Sequence, residues 1–241
     1  MKILILGGTA EARQLAGLLV ARGHDVTTAL AGRTPEPARP EGALRIGGFG
    51  GPAGLAAYLA AEGFTQVVDA THPYAARISA NAVAAAAETG IDLLRLLRPA
   101  WMAAPDEAWQ TAQDAMAAAR LLPEGARVLL TTGHADLETY LARSDCRFFV
   151  RVIAPPAGTL PGHAELIVTR PPYGLAAEKD LLVRHGITHL VSKNSGGRQV
   201  AAKLTAAAEL GISVIMLARP VYEPAREVAS VAAALAALSG A

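Results

Sequence analysis

Short apolar runs alternate along this chain with longer segments whose apolar positions recur every three or four residues. In the first half the runs Lys2–Leu6, Asp25–Leu30, Leu44–Ile46, Gln66–Asp69 and Asp92–Leu96 are rich in Val, Ile and Leu and predict strands. In the second half the same pattern predicts strands at Arg127–Thr131, Arg147–Val152, Leu166–Thr169, His189–Ser192 and Ser213–Leu217. Between them, Glu11–Ala21, Gly54–Glu62, Ala75–Glu88, Gln110–Leu121, Leu175–Arg184, Arg198–Glu209 and Ala225–Leu238 read as helices. Strands that are apolar on both faces and separated by helices form parallel sheets covered on both sides. The expected fold class is therefore α/β: two Rossmann-like lobes with mainly parallel sheets flanked by helices. The stretch Arg98–Asp106, with Pro99 and Pro105, breaks the rhythm near the middle. It predicts a boundary there, with residues 1–98 as one lobe, residues 99–241 as the other, and a cleft between them.

Composition narrows the function classes. At 241 residues and 52% hydrophobic content, the chain can bury a full core as one large domain or two small ones. Its formal net charge is +1 and no basic run occurs, so nucleic acid and anionic membrane surfaces are not expected partners. Cys146 is the only cysteine, which excludes an intramolecular disulfide and a cysteine metal cage. The first apolar run is too short to span a bilayer, and neither a charged n-region nor a cleavage site accompanies it. The alanine-rich stretch Ala82–Ala87 reads as the interior of a closely packed helix, not as a linker. A cytoplasmic protein is expected.

In open α/β sheets ligands bind beyond the carboxyl ends of the strands, so those positions carry the functional information. The first strand runs into Gly7-Gly8-Thr9 and then into a helix. Strand, glycine turn and helix N-terminus together make an anion site suited to a dinucleotide pyrophosphate. The fit to G-x-G-x-x-G/A is incomplete: Gly7 takes the first position and Ala12 the last, but Thr9 stands where the second glycine belongs. After the second strand comes Ala31-Gly32-Arg33. An arginine here accommodates the 2′-phosphate of NADP(H), where an acidic residue would select NAD; the alternative is a solvated arginine in a Pro-rich loop.

Beyond Asp69 stands Ala70-Thr71-His72-Pro73-Tyr74-Ala75, a hydroxyl, an imidazole and a phenol before a helix. Thr71 or His72 would touch cofactor phosphate or nicotinamide, and Tyr74 would bound a flat ligand. The other reading has Thr71 cap the helix, Pro73 start it and Tyr74 pack. Ser192-Lys193-Asn194-Ser195-Gly196-Gly197 also precedes a predicted helix and reads as a second anion site or as a Ser/Asn capping turn. It is not a P-loop. Arg98, Arg170 and Arg219 each precede a proline at a strand end, and Arg151 lies near another. Such arginines suit a ligand with several carboxylates, or are solvated rim residues. No metal site is expected: His185 and His189 lie four apart around a glycine, without H-E-x-x-H. No Tyr is followed by Lys at the fourth position and no G-x-S-x-G occurs.

Taken together, LILGGTAEAR, LAGR ending at Arg33, DATHPYA from Asp69 to Ala75 and SKNSGG from Ser192 to Gly197 resemble the precorrin-6A reductase family of cobalamin biosynthesis. The blocks stand in the expected order across nearly the whole chain, and DATHPYA is the most specific. The resemblance implies NADPH-dependent hydride transfer to a ring carbon of precorrin-6A, giving precorrin-6B, with a cobalt-containing analogue as the counterpart in the anaerobic pathway. It implies that Gly7, Gly8, Thr9, Glu11, Ala12 and Arg13 line the diphosphate, that Arg33 meets the 2′-phosphate, and that Thr71, His72 and Tyr74 border the nicotinamide. Lys193, Asn194 and Ser195 would face the substrate, with Arg98, Arg151 and Arg170 as further contacts for its carboxylates. His72, Tyr74, Lys193 and solvent are the proton-donor candidates. Hand-over contacts with neighbouring pathway enzymes would follow. Two other readings stand beside this: an NADP-dependent reductase or epimerase of a smaller metabolite, and a non-catalytic NADP(H)-sensing module.

Overall fold

A computed structural model describes residues 1–32, 38–104, 107 and 109–239. In chain order the elements begin β1 (Lys2–Leu6), α1 (Ala10–Val20), β2 (Asp25–Leu30), β3 (Ala43–Ile46), α2 (Pro52–Glu62), β4 (Gln66–Asp69), α3 (Ala76–Thr89) and β5 (Asp92–Leu96). Next come β6 (Trp109–Ala112), α4 (Ala115–Arg120), β7 (Arg127–Thr131), α5 (Leu137–Leu141), β8 (Arg147–Val152), β9 (Ala164–Val168), α6 (Leu175–Arg184) and β10 (His189–Lys193). A 3-10 turn (Arg198–Val200), α7 (Ala202–Glu209), β11 (Ser213–Leu217), β12 (Arg226–Val228) and α8 (Val231–Ser239) complete the series.

The chain divides into two compact units, Met1–Pro99 with Pro220–Ala241, and Ala100–Arg219. The expected boundary near residue 98 coincides with the first crossing, but the expected second lobe of residues 99–241 is corrected at its end. Pro220–Ala241 packs with the first unit because β12 hydrogen-bonds to β5 and α8 lies against α1. The first sheet has the order β12-β5-β4-β1-β2-β3 and the second the order β6-β11-β10-β7-β8-β9, with every pairing parallel. Read outward from β1, the first is the doubly wound 3-2-1-4-5-6 arrangement, its sixth strand supplied from the far end of the chain. The second repeats that arrangement around β7, its sixth strand supplied by the segment just before it.

The uninterrupted apolar run of β1 follows from its central place. Ile3 and Ile5 pack under α1 and α8 with Leu15, Leu19, Val68, Leu94 and Leu235. Leu4 and Leu6 point the other way, to α2 and α3, against Leu55, Leu59, Val67, Ala82 and Ala85. With each of these four side chains at 2% exposure or less, each contributes roughly 1.5–3 kcal/mol of transfer free energy. In the second unit Leu129, Leu190, Val214 and Met216 meet Leu182 of α6 and Leu204 of α7. No helix among the described residues is long and apolar enough to cross a membrane.

Two predicted helices begin as strands. Gln110–Leu121 is β6 followed by the shorter α4, whose start is set by Asp114 Oδ1 accepting from the Ala117 amide at 2.7 Å. Ala225–Leu238 likewise opens with β12, and α8 follows Ser230, whose Oγ accepts from the Ala233 amide at 3.2 Å.

Candidate functional site

The strand order reverses between β1 and β4 in the first unit and between β7 and β10 in the second. These are the points where loops leave the sheet in opposite directions and a crevice opens at the carboxyl ends. The first has the parts of a phosphate cradle. A Cβ added to Gly7 would stand 2.7 Å from Thr28 Cγ2 and 3.3 Å from Leu30 Cδ2, so the turn must be glycine to lie against β2. Gly8 has φ +111° and nothing within 4 Å of an added Cβ, so its backbone faces open space. The turn delivers the N-terminus of α1, whose first amides lack intrahelical acceptors. A pyrophosphate fits this geometry. After β7, by contrast, α5 spans only Leu137–Leu141 and its N-cap Asp136 makes no side-chain capping bond.

The turn's side chains depart from expectation. Thr9 is 6% exposed, and its hydroxyl donates to the Ala70 carbonyl at 2.8 Å while accepting from the Ala12 amide at 3.1 Å. It caps α1 and ties β1 to β4, so the expected hydroxyl for the diphosphate is already engaged. Ala12 is fully buried and serves close packing of helix on sheet. Arg13 Nη1 donates to the Thr9 carbonyl at 3.3 Å. Glu11 accepts from Arg98 Nη1 at 2.8 Å, so an expected cofactor residue and an expected substrate residue are partners. Arg33 lies outside the described residues.

The loop after β4 is held from its base. Asp69 Oδ1 accepts from both the amide and the hydroxyl of Thr71, at 3.2 and 2.7 Å. Thr71 is not the helix cap, because α3 starts at Ala76 behind Ala75 with no side-chain capping bond. His72 is exposed and Pro73 buried. The Tyr74 amide donates to His72 Nδ1 at 3.2 Å, and the two rings lie 5.8 Å apart. With Nδ1 accepting, the proton of the neutral imidazole resides on Nε2. In that tautomer Nε2–H is a hydrogen-bond donor.

In the second unit, Lys193 Nζ donates to the Thr132 carbonyl at 2.6 Å, bridging the loops at the switch point. Asn194 grips Trp101 by both backbone groups: Oδ1 accepts from its amide at 2.7 Å and Nδ2 donates to its carbonyl at 3.0 Å. Ser195 is 5% exposed and its amide donates to the Lys193 carbonyl at 2.8 Å. The expected anion site at a helix start is corrected here. The 3-10 turn intervenes and α7 begins only at Ala202, so Lys193, Asn194 and Ser195 form an internally bonded strand end.

Arg151, an expected substrate contact, lies buried within the second unit. It is 7% exposed, its Nη1 donates to Glu178 Oε1 at 2.6 Å, and its guanidinium lies 4.3 Å from the Tyr173 ring centroid. Arg170 is exposed beyond the end of β9. The sequence reading missed Lys203, 4% exposed, which donates to Thr131 Oγ1 at 2.9 Å. Burial, reinforced by the nearby Arg151 charge and opposed by Glu178, lowers its pKa to about 7. It also missed Arg95 and Tyr222; a charged residue inside the apolar run DLLRL was the available signal for the first.

The profile of the family described as "Precorrin-6x reductase CbiJ/CobK" matches residues 2–239. A precorrin-6A reductase of Rhodococcus erythropolis is 46% identical over 98% of this chain and 96% of its own length. A cobalt-precorrin-6A reductase of Priestia megaterium is 31% identical over 92% of this chain and 91% of its own. A solved structure titled "CobK precorrin-6A reductase" superposes with a TM-score of 0.95 at 40% identity, covering 100% of this chain and 96% of the other. With both sheets, the glycine turn and the Asp69–Ala75 loop inside the matched span, the chain belongs to the precorrin-6x reductase family.

Proposed function

We propose that this chain is a precorrin-6A reductase that uses NADPH and releases precorrin-6B. The observation that carries this reading is the family match over residues 2–239, which includes both switch points. The higher identity to the relative named for the metal-free macrocycle, 46% against 31%, favours that substrate over the cobalt form.

When bound, NADPH supplies the hydride that adds to a ring carbon. Gly7, Gly8 and the N-terminus of α1 would hold its diphosphate, and Arg33 its 2′-phosphate. The Glu11–Arg98 pair leaves the diphosphate site without a lone carboxylate to repel it. Thr71, held on Asp69, starts the loop that presents His72 and Tyr74 to the nicotinamide side. His72, exposed and with Nδ1 accepting from the Tyr74 amide, would donate a hydrogen bond from Nε2–H to the bound ligand, and the proton that accompanies the hydride would come from solvent. Tyr74 would lie along the flat macrocycle. On the second unit, the ammonium of Lys193 and the exposed guanidinium of Arg170 would offer cationic groups for acetate and propionate arms.

The deciding experiment follows NADPH oxidation spectrophotometrically with metal-free and with cobalt-bound precorrin-6A. Turnover is expected with the metal-free form, and failure to oxidise NADPH with either overturns the reading.

A further inference from the structure

The C-terminal return does more than complete a sheet. Asp69, Arg95 and Glu227 stand in one row across β4, β5 and β12. The side chains of Arg95 and Asp69 are 3% and 2% exposed, with Nε 3.4 Å from Oδ2. Arg95 Nη1 donates to Glu227 Oε1 at 2.8 Å and to the Glu223 carbonyl at 3.0 Å. The Tyr222 ring lies with its centroid 5.0 Å from the Arg95 guanidinium carbon, and its hydroxyl donates to the Pro73 carbonyl. The loop after β4 is thus held at two points. Asp69, braced by Arg95, fixes Thr71; Tyr222, seated on Arg95, fixes Pro73.

Both points depend on residues 222–227, far in sequence from the loop they hold. Pro73 has a φ fixed by its ring and stands between His72 and Tyr74, so anchoring its carbonyl fixes the directions in which the two side chains leave. Hydride transfer needs donor and acceptor carbons aligned within a fraction of an ångström, and a loop bordering the nicotinamide contributes directly to that alignment.

We propose that Tyr222 is a positioning residue for the reduction: its hydroxyl, seated by Arg95, fixes Pro73 and through it His72 and Tyr74 against the reacting face of the cofactor. This rests on the reading that the His72–Tyr74 loop borders the nicotinamide. Tyr222→Phe removes the hydroxyl and keeps the ring on Arg95. The full-length variant is compared with wild type in kcat, in KM for NADPH, in the isotope effect with (4R)- and (4S)-deuterated NADPH, and in hydrogen exchange across residues 70–76 of the ligand-free protein. The expected result is a roughly tenfold lower kcat with KM for NADPH within about twofold. A larger isotope effect and roughly tenfold faster exchange in that loop should accompany it.

An active wild type and a variant with unchanged kcat would overturn the positioning role while leaving the reductase reading intact. So would a variant whose KM rises in step with a general loss of exchange protection. A wild type that oxidises no NADPH would instead overturn the reductase reading and this proposal with it. Should Tyr222→Phe not fold, Glu227→Gln loosens Arg95 from the exposed end of the row; a two- to threefold drop in kcat at unchanged KM is then expected, and no drop overturns the proposal.

Discussion

The hydroxyl of Tyr140 is buried without a hydrogen-bond partner among the described residues, and burial together with Asp136 and Asp114 pushes its pKa well up. A desolvated hydroxyl with no partner costs free energy, so Tyr140→Phe should stabilise the second unit by about 1 kcal/mol, read as a higher midpoint in urea. Lys203 gives a pH signature. Its folded pKa, about 7, lies below the ordinary 10.5, so between those values the unfolded chain binds a proton that the folded chain does not. Stability therefore rises with pH through that window, by up to ~1.4 kcal/mol per unit. Lys203→Met should flatten the rise; an identical slope in urea melts at pH 7 and pH 9 would mean that the amine titrates normally. Arg33→Ala should raise KM for NADPH roughly tenfold and leave that for NADH unchanged, whereas equal changes would remove Arg33 from the 2′-phosphate.

At the scale of elements, the turn between β1 and α1 tolerates little. Gly7→Ala brings a methyl group to 2.7 Å from Thr28 Cγ2, and with β2 fixed on its other side the turn must shift. A loss of about 1–3 kcal/mol in thermal stability is expected, with weaker NADPH binding by titration. The central strands were legible because both their faces are buried, which writes an unbroken apolar run such as ILIL into the sequence. The edge strands β6 and β12 were not. WQTA and REV are short, partly polar, and followed by alanine-rich helices that absorbed them into one helical reading. Asp114 and Ser230 carried the missing signal as N-caps. The site was half legible. GGT and THPY lie at the switch point as their residue types suggest, but sequence cannot show that Thr9, Asn194 and Arg151 spend their polar atoms on the scaffold. Nor can it show that α7 starts late enough to take SKNSGG off a helix N-terminus, since that depends on the 3-10 turn at Arg198–Val200.

At the scale of the whole molecule, each unit takes its sixth strand from the chain segment that adjoins the other in sequence. The segment after β5 supplies β6 to the second sheet, and the segment after β11 supplies β12 to the first. A chain ending at Arg219 would leave the β5 edge unpaired and strip α8 from the Ile3, Leu15 and Leu19 face. Such a truncation should lose the cooperative melt of the first unit and expose residues 1–99 to rapid hydrogen exchange, while the protection of Ala100–Arg219 persists. Equal protection of both units would show that the return is dispensable. The arrangement also has a consequence during synthesis. Strands β1 to β5 leave the ribosome first, yet the β5 edge waits for Arg226–Val228, which follow only after the whole second unit. A protease cut in the exposed segment around Val221 thus strikes the sheet that carries the glycine turn, although the two lie far apart along the chain.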